Sequence, residues 1–308
     1  MRIGIAGAGA VGCHYGSLLQ RAGYDVRFLA RGVHLKAIRD AGLTHVSDGK
    51  HYTQNVQADD NPSILEESAV VILTCKITDI KMMLKSVAAH LGENSLLVTL
   101  QNGVEAPDMA AALCPEHAIA AGTAFIGARI DEPGTVIHSA AGGVRLGLWR
   151  HGKGEERFHP LIQAFMEAGV PVREEPDVHL MLWRKLLWNC GFNAITAITY
   201  RFARDIAADG ETLAIVREAM EETVAIARAE GIVIGEKDVN KHIKTTLEMG
   251  PVKTSMWQDI ERRKQTEVDY INGFVTRKAK ETGMEAPVNR ILTTLVHAIQ
   301  CGNKEKAI

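Results

Sequence analysis

Residues 7 to 12 read Gly-Ala-Gly-Ala-Val-Gly, and the segments on either side of them constrain this chain more than anything else in it. Arg2 to Ala6 is a short apolar run of strand character. Cys13 to Ala22 has helical patterning and stops at Gly23, and Tyr24 to Ala30 is a second strand-like run. Strand, glycine turn, helix and strand within about thirty residues form the βαβ unit in which a G-x-G-x-x-G sequence cradles a dinucleotide. Each glycine has a physical reason. Gly7 allows the tight turn, Gly9 lets backbone approach a pyrophosphate, and Gly12 lets the helix lie close on the strand. Gly7, Ala8, Gly9, Ala10, Val11 and Gly12 are therefore candidate cofactor-binding residues, with the new helix turning its free N–H groups toward phosphate.

The end of the second strand indicates which dinucleotide. An NAD site usually places Asp or Glu there to accept from the ribose 2′-hydroxyl. This chain has Ala30-Arg31, and Arg31 offers a positive fork to a 2′-phosphate, which favours NADP(H). Further strands are expected at Ala69 to Thr74 and Leu96 to Leu100, ending in Cys75-Lys76 and Gln101-Asn102-Gly103. Ligands of open α/β sheets lie beyond the carboxyl ends of strands, so Lys76 and Asn102 can reach cofactor or substrate. Asn102-Gly103 is also an ordinary turn dipeptide. Ala118 to Arg129 reads as another strand. Thr135 to His138 and Val144 to Leu148 read as two antiparallel strands around Gly142-Gly143, and Val170 to Arg173 as a last short strand.

From Asp177 the pattern changes to long helices. The reading is an α/β N-terminal Rossmann-type dinucleotide-binding domain, residues 1–175, followed by an all-α C-terminal domain, residues 176–308, that carries substrate and catalysis. The helices expected there are Asp177 to Tyr200, Glu211 to Glu230, Val239 to Glu248, Ser255 to Thr282 and Asn289 to Gln300, with a frayed Lys304-Glu305-Lys306 end. On the first, Lys185, Asn189 and Asn193 stand at i, i+4 and i+8, so they share one face of an otherwise apolar helix. Such a stripe is either an interhelical network or the wall of a ligand site. A carbonyl reduction needs a proton for the developing alkoxide, and Lys185, oriented by a carboxylate such as Glu267, suits that role.

Composition removes other classes. Lys and Arg number 35 against 37 Asp and Glu, a net charge of −2 with no dense basic block, which argues against nucleic acid as a partner. No apolar run reaches the roughly 18 residues of a membrane span, and the N-terminus enters a strand directly. A cytoplasmic protein without membrane or metal is expected, with apolar helical surface that permits a homodimer. Five widely spaced cysteines, Cys13, Cys75, Cys114, Cys190 and Cys301, form no C-x-x-C pair, and the twelve histidines are scattered and read as surface or packing residues.

Nearly the whole chain resembles the ketopantoate reductase (2-dehydropantoate 2-reductase) family. The likeness rests on Gly7 to Gly12, on Lys76 and on Gln101-Asn102-Gly103. It is most specific in Leu182-Trp183-Arg184-Lys185-Leu186 with Asn189-Cys190, Asn193 and Ile195-Thr196-Ala197-Ile198, and in Ser255-Met256, Gln258-Asp259-Ile260 and Thr266-Glu267-Val268-Asp269-Tyr270-Ile271-Asn272-Gly273. The resemblance implies NADPH-dependent reduction of 2-dehydropantoate to (R)-pantoate, on the route to pantothenate and coenzyme A. It implies Lys185 as proton donor, Asn102, Asn189, Asn193 and Ser255 as substrate contacts, and Glu267 against Lys185, the cofactor or the substrate hydroxyl. Arg31, Lys76 and Ala128 would touch the cofactor. Family members can carry a further substrate-contacting asparagine where this chain has Ala203, so another 2-keto acid is an alternative substrate, and a non-catalytic NADP-binding sensor is a third reading.

Overall fold

A computed structural model describes residues 1–305. The chain divides into two compact units. The first comprises residues 1–101 and 105–178; the second comprises residues 179 onward together with Asn102–Val104.

The first unit is built on one ten-stranded sheet. In chain order its elements are β1 (Arg2–Ala6), α1 (Ala10–Arg21), β2 (Asp25–Leu29), α2 (Gly32–Ala41), β3 (Leu43–Ser47), β4 (Lys50–Gln54), β5 (Gln57–Asp59), β6 (Val70–Leu73), α3 (Ile80–Val87), β7 (Leu96–Thr99), α4 (Ala106–Leu113), β8 (Ile119–Ile130), β9 (Thr135–Arg150), α5 (Phe158–Glu167) and β10 (Val172–Glu174). The strand order is β4-β3-β9-β8-β7-β6-β1-β2-β5, with β10 beside β9. The central strands are parallel: Ile3 pairs with Val26 on one side and Val70 on the other, and Val70 pairs with Leu96. Buried on both faces, β6 and β7 are continuous apolar runs, Val-Val-Ile-Leu and Leu-Leu-Val-Thr, as parallel interior strands require. Ile3, Ile5, Phe28, Ile72 and Val98 are fully or almost fully buried in the core.

The far side of the sheet differs from the sequence-based expectation. Thr135 to Arg150 is one long strand, antiparallel to β8 throughout, where two strands and a turn were expected at Gly142-Gly143. The glycine pair forms no turn because the pairing register shifts between Phe125 and Ile126. Ala141 (φ 58°) and Gly142 (φ 116°) absorb the extra residue as a bulge. Two histidines, expected at the surface or in packing, are buried together here. His14 Nδ1 lies 2.9 Å from His45 Nε2, and His138 stacks obliquely on His14 with ring centroids 4.5 Å apart. His14 is 2% exposed and His45 0%.

The second unit is helical: α6 (Val178–Thr199), α7 (Ala203–Ala208), α8 (Gly210–Ala229), α9 (Glu236–Leu247), α10 (Ser255–Glu261), α11 (Asn272–Glu281) and α12 (Pro287–Glu305). Asp209 caps α8 by accepting from the Thr212 N–H at 3.1 Å. The single helix expected from Ser255 to Thr282 is broken. α10 ends at Glu261, Arg263 takes a left-handed conformation (φ 53°), and a short 3₁₀ turn, Val268–Tyr270, precedes α11. Side chains stabilise the break, since the Thr266 N–H donates to Gln300 Oε1 at 2.6 Å. The last helix runs on through Glu305, beyond the expected end, and Lys306 lies outside the described residues. Among the described residues, no helix is long and apolar enough to cross a membrane, and no cluster of His, Cys, Asp and Glu is arranged to hold a metal ion.

Candidate functional site

In the first unit, β1 delivers the chain into the glycine turn and α1 begins at Ala10. Gly7 has φ +113°, and a Cβ there would lie 2.6 Å from the Cys75 backbone nitrogen. A Cβ on Gly12 would lie 2.5 Å from the Gly7 carbonyl oxygen and from Thr74 Oγ1. Both close approaches demand glycine. Gly9 is different, because a Cβ there would meet nothing within 4 Å. The turn therefore keeps open space beside Gly9 that protein packing does not fill. Gly9 is also the N-cap of α1, with no side chain capping the helix and no acid in its first turn. The first N–H groups of a helix have no intrahelical acceptor. Uncapped donors, a positive dipole end and open space at one glycine fit a dinucleotide pyrophosphate.

Arg31 and Lys76 stand just past the carboxyl ends of β2 and β6, as the sequence predicts. Arg31 is not alone: its Nη2 lies 3.1 Å from Asp79 Oδ2, an acid that the sequence reading did not connect with it. Ala128 is placed elsewhere on the sheet. It sits on β8 opposite His138, three strands from β1.

The second unit brings the remaining candidates together. Lys185, Asn189 and Asn193 lie on α6 at the expected spacing. The α6 helix is apolar on most sides, and Leu182, Leu186, Leu187, Cys190 and Phe192 around the stripe are all buried. Asn189 and Asn193 are buried too, 3% and 2% exposed. The side-chain atoms Asn189 Nδ2 and Asn193 Oδ1 have no hydrogen-bond partner in the protein. A buried polar group left unpaired costs about 1–3 kcal/mol. A ligand that bonded these two atoms, one helical turn apart, would recover that cost.

Lys185 is half-buried, and burial pushes its ammonium down to about 8, while the negative charge of Glu267 opposes a further fall. Glu267 is 8% exposed and lies in the break between α10 and α11, not on a helix as expected. Asn102 Nδ2 donates to Glu267 Oε2 at 2.8 Å. The short Asn102–Val104 segment thus belongs to the second unit. Its path depends on Gly103 (φ +87°), where a Cβ would come within 2.7 Å of the Tyr270 carbonyl.

Ser255 is exposed as the first residue of α10. Thr254 caps that helix, accepting from the Trp257 N–H at 3.3 Å, and its hydroxyl lies 2.7 Å from Thr196 Oγ1. Thr196 in turn donates to the Asn193 carbonyl at 3.0 Å. This threonine pair ties the start of α10 to the turn of α6 that carries Asn193, and sequence reasoning missed it. Ala203, at the start of α7, is 3% exposed and offers no amide. Chemically, the unit offers a lysine whose ammonium burial lowers to about 8, a carboxylate that opposes that fall, and amides and a hydroxyl for a polar substrate.

Comparison with known proteins gives a consistent result. The family model described as "Ketopantoate reductase PanE/ApbA" matches residues 3–151, and "Ketopantoate reductase PanE/ApbA C terminal" matches residues 177–300. The chain is 30% identical to a 2-dehydropantoate 2-reductase of Archaeoglobus fulgidus over 302 residues, 98% of each chain. Among solved structures it is similar to a PanE/ApbA family ketopantoate reductase from Ralstonia eutropha JMP134, with 32% identity and a TM-score of 0.91 over 99% of this chain and 100% of that one. It is equally similar in shape to a D-mandelate dehydrogenase solved with NADH and anilino(oxo)acetate, with 27% identity and a TM-score of 0.91 over 99% and 100% of the two chains.

Proposed function

Because the chain belongs to the ketopantoate reductase PanE/ApbA family, we propose that it is an NADPH-dependent oxidoreductase that reduces 2-dehydropantoate to (R)-pantoate, the step leading toward pantothenate and coenzyme A. Reduction at the C2 carbonyl needs a hydride for carbon and a proton for oxygen. The dinucleotide, when bound, supplies the hydride, and the turn from Gly7 to Gly12, with Arg31 and Lys76, holds it. Lys185 gives the proton to the carbonyl oxygen. Glu267 keeps that ammonium protonated at working pH, and Asn102 holds the carboxylate in place. Asn189, Asn193 and Ser255 bind the substrate carboxylate and hydroxyl.

The observation that carries this reading is the pair of buried, unpartnered amide atoms one and two turns along α6 from a lysine with a depressed pKa. The test is oxidation of NADPH on adding ketopantoate. Lys185→Ala should lose nearly all turnover with the fold intact, and a variant turning over at the wild-type rate would remove the proton-donor role. Arg31→Ala should weaken NADPH much more than NADH.

A second reading has its own support. The likeness to D-mandelate dehydrogenase and the missing amide at Ala203 both favour a different 2-keto acid. A panel of ketopantoate, phenylglyoxylate and aliphatic 2-keto acids separates the two. If ketopantoate ranks far below another acid in kcat/KM, the substrate changes and the chemistry stays. Tight cofactor binding without turnover of any acid would leave only a sensor.

A further inference from the structure

The acid paired with Arg31 bears on cofactor choice, and its role rests on the dinucleotide reading above. Arg31 is the extended residue before α2, with its side chain 77% exposed. Its partner, Asp79, follows β6 by six residues and stands three residues past Lys76. Asp79 is the N-cap of α3 but makes no capping hydrogen bond to it, so its helix does not need the carboxylate. The carboxylate instead lies 3.1 Å from Arg31. Nearby, Asp59 at the end of β5 engages Arg39 at 2.7 Å, so the acid facing Arg31 is Asp79.

NADH and NADPH differ only on the adenosine ribose, which carries a 2′-hydroxyl in one and a 2′-phosphate in the other. A phosphate brought to Arg31 meets the charge of Asp79. A hydroxyl brought there meets an acceptor, the feature that NAD sites usually supply from the end of the second strand. We propose that Asp79 is a specificity-determining residue of the cofactor site: it offsets part of the hold of Arg31 on a 2′-phosphate and accepts from a 2′-hydroxyl, so that the chain takes both NADPH and NADH. An exposed ion pair is weak, so Arg31 can turn from Asp79 to a phosphate. A unit charge about 5 Å from a phosphate of about −1.5 to −2, screened by physiological salt, changes affinity by roughly three- to tenfold.

The test is calorimetric titration of the protein without substrate, using NADPH, NADH, adenosine 2′,5′-bisphosphate and AMP, in the wild type, Asp79→Asn and Asp79→Ala. Both variants should keep the wild-type Tm. They should bind NADPH and the bisphosphate about three- to tenfold more tightly, and NADH and AMP equally or more weakly, with the gain shrinking as salt rises. Weaker NADPH binding, or equal changes for both dinucleotides, overturns the role of Asp79 while leaving the cofactor reading intact. A wild type that binds neither dinucleotide overturns both.

Discussion

Replacing Glu267 with glutamine tests whether the charge on Lys185 is set as the geometry implies. Desolvation lowers Lys185 to about 8 from the ordinary 10.5, and Glu267 works against that fall. Glutamine removes the negative charge but keeps an oxygen for Asn102 Nδ2, which donates to Glu267 now. For charges about 5 Å apart at an effective dielectric of about 20, the lost attraction is about 3 kcal/mol, or about two pKa units as an upper bound. Water reaching the half-buried lysine reduces this, so a fall of about one unit or more is expected. The acid form does the work, so kcat/KM for reduction should decline above about pH 8 in the wild type, and the limb should move down by at least that unit in Glu267→Gln. The assay follows nicotinamide absorbance at subsaturating keto acid from pH 6 to 10, as a series on the order of ten points. A limb that stays in place, or moves up, refutes the coupling. Linkage supplies a second check. The folded chain releases this proton near 8 and the unfolded chain near 10.5, so stability should rise with pH across that window.

Three other outcomes follow from the structure. His14 and His45 are held neutral by burial, pushed down to about 2 and about 4, while the unfolded chain protonates them below about 6.5. Stability should therefore fall as pH drops through that range, by about 2 kcal/mol per histidine at pH 5, and calorimetry of His45→Gln should show about half that loss; an unchanged acid sensitivity would contradict the histidine origin. Gly9→Ala should keep the wild-type Tm but bind dinucleotide at least tenfold more weakly, about 1.4 kcal/mol, because its methyl enters open space. Gly12→Ala, whose methyl would meet the Gly7 carbonyl, should lose about 1–3 kcal/mol of stability, and equal Tm values for the two variants would dismiss the distinction. Asn193→Leu should hold or raise Tm, since it removes an unpaired buried acceptor, while lowering kcat/KM by about 10- to 100-fold for a lost bond of about 1.5–3 kcal/mol; a destabilised, active variant would make Asn193 structural.

What could be read from the sequence was what local chemistry dictates. The glycine turn announces itself because Gly7 and Gly12 face backbone that no Cβ could approach. The stripe on α6 was visible because helical period alone puts Lys185, Asn189 and Asn193 on one face. Features set by distant parts of the chain left no such mark. The break after α10 turns at Arg263, which adopts a left-handed conformation without the glycine that usually signals one. Its support comes from Gln300, more than thirty residues on. Without that break, Glu267 reads as a helical residue. Gly142-Gly143 looked like a turn, but the β8 pairing register made it a bulge. The Arg31–Asp79 pair joins the ends of two strands that are not neighbours in sequence, and neither residue names the other.

Asparagines elsewhere in the second unit show why burial alone does not mark a site. Asn272 and Asn289 are as buried as Asn189 and Asn193, both 0% exposed. Yet Asn289 uses both ends of its amide: it accepts from Asn272 at 2.9 Å and donates to the Ala219 carbonyl and to Glu222. Asn272 also donates to the Cys190 carbonyl at 2.9 Å, on the same α6 helix that carries the stripe. Of these two amides, only the Asn272 side-chain oxygen, Oδ1, lacks a partner, while its nitrogen is doubly used. Those two residues lock α6, α8, α11 and α12 together, and Glu222 receives the first N–H groups of α12 at Val288 and Asn289. The α6 helix therefore carries both kinds of polarity. One side is bonded into neighbouring helices and fixes where the helix lies. The other leaves an amide nitrogen and an amide oxygen unpaired beside a partly desolvated ammonium. Apolar side chains on that second face would have avoided the cost of the unpaired amide atoms, and a ligand that bonded them would recover it.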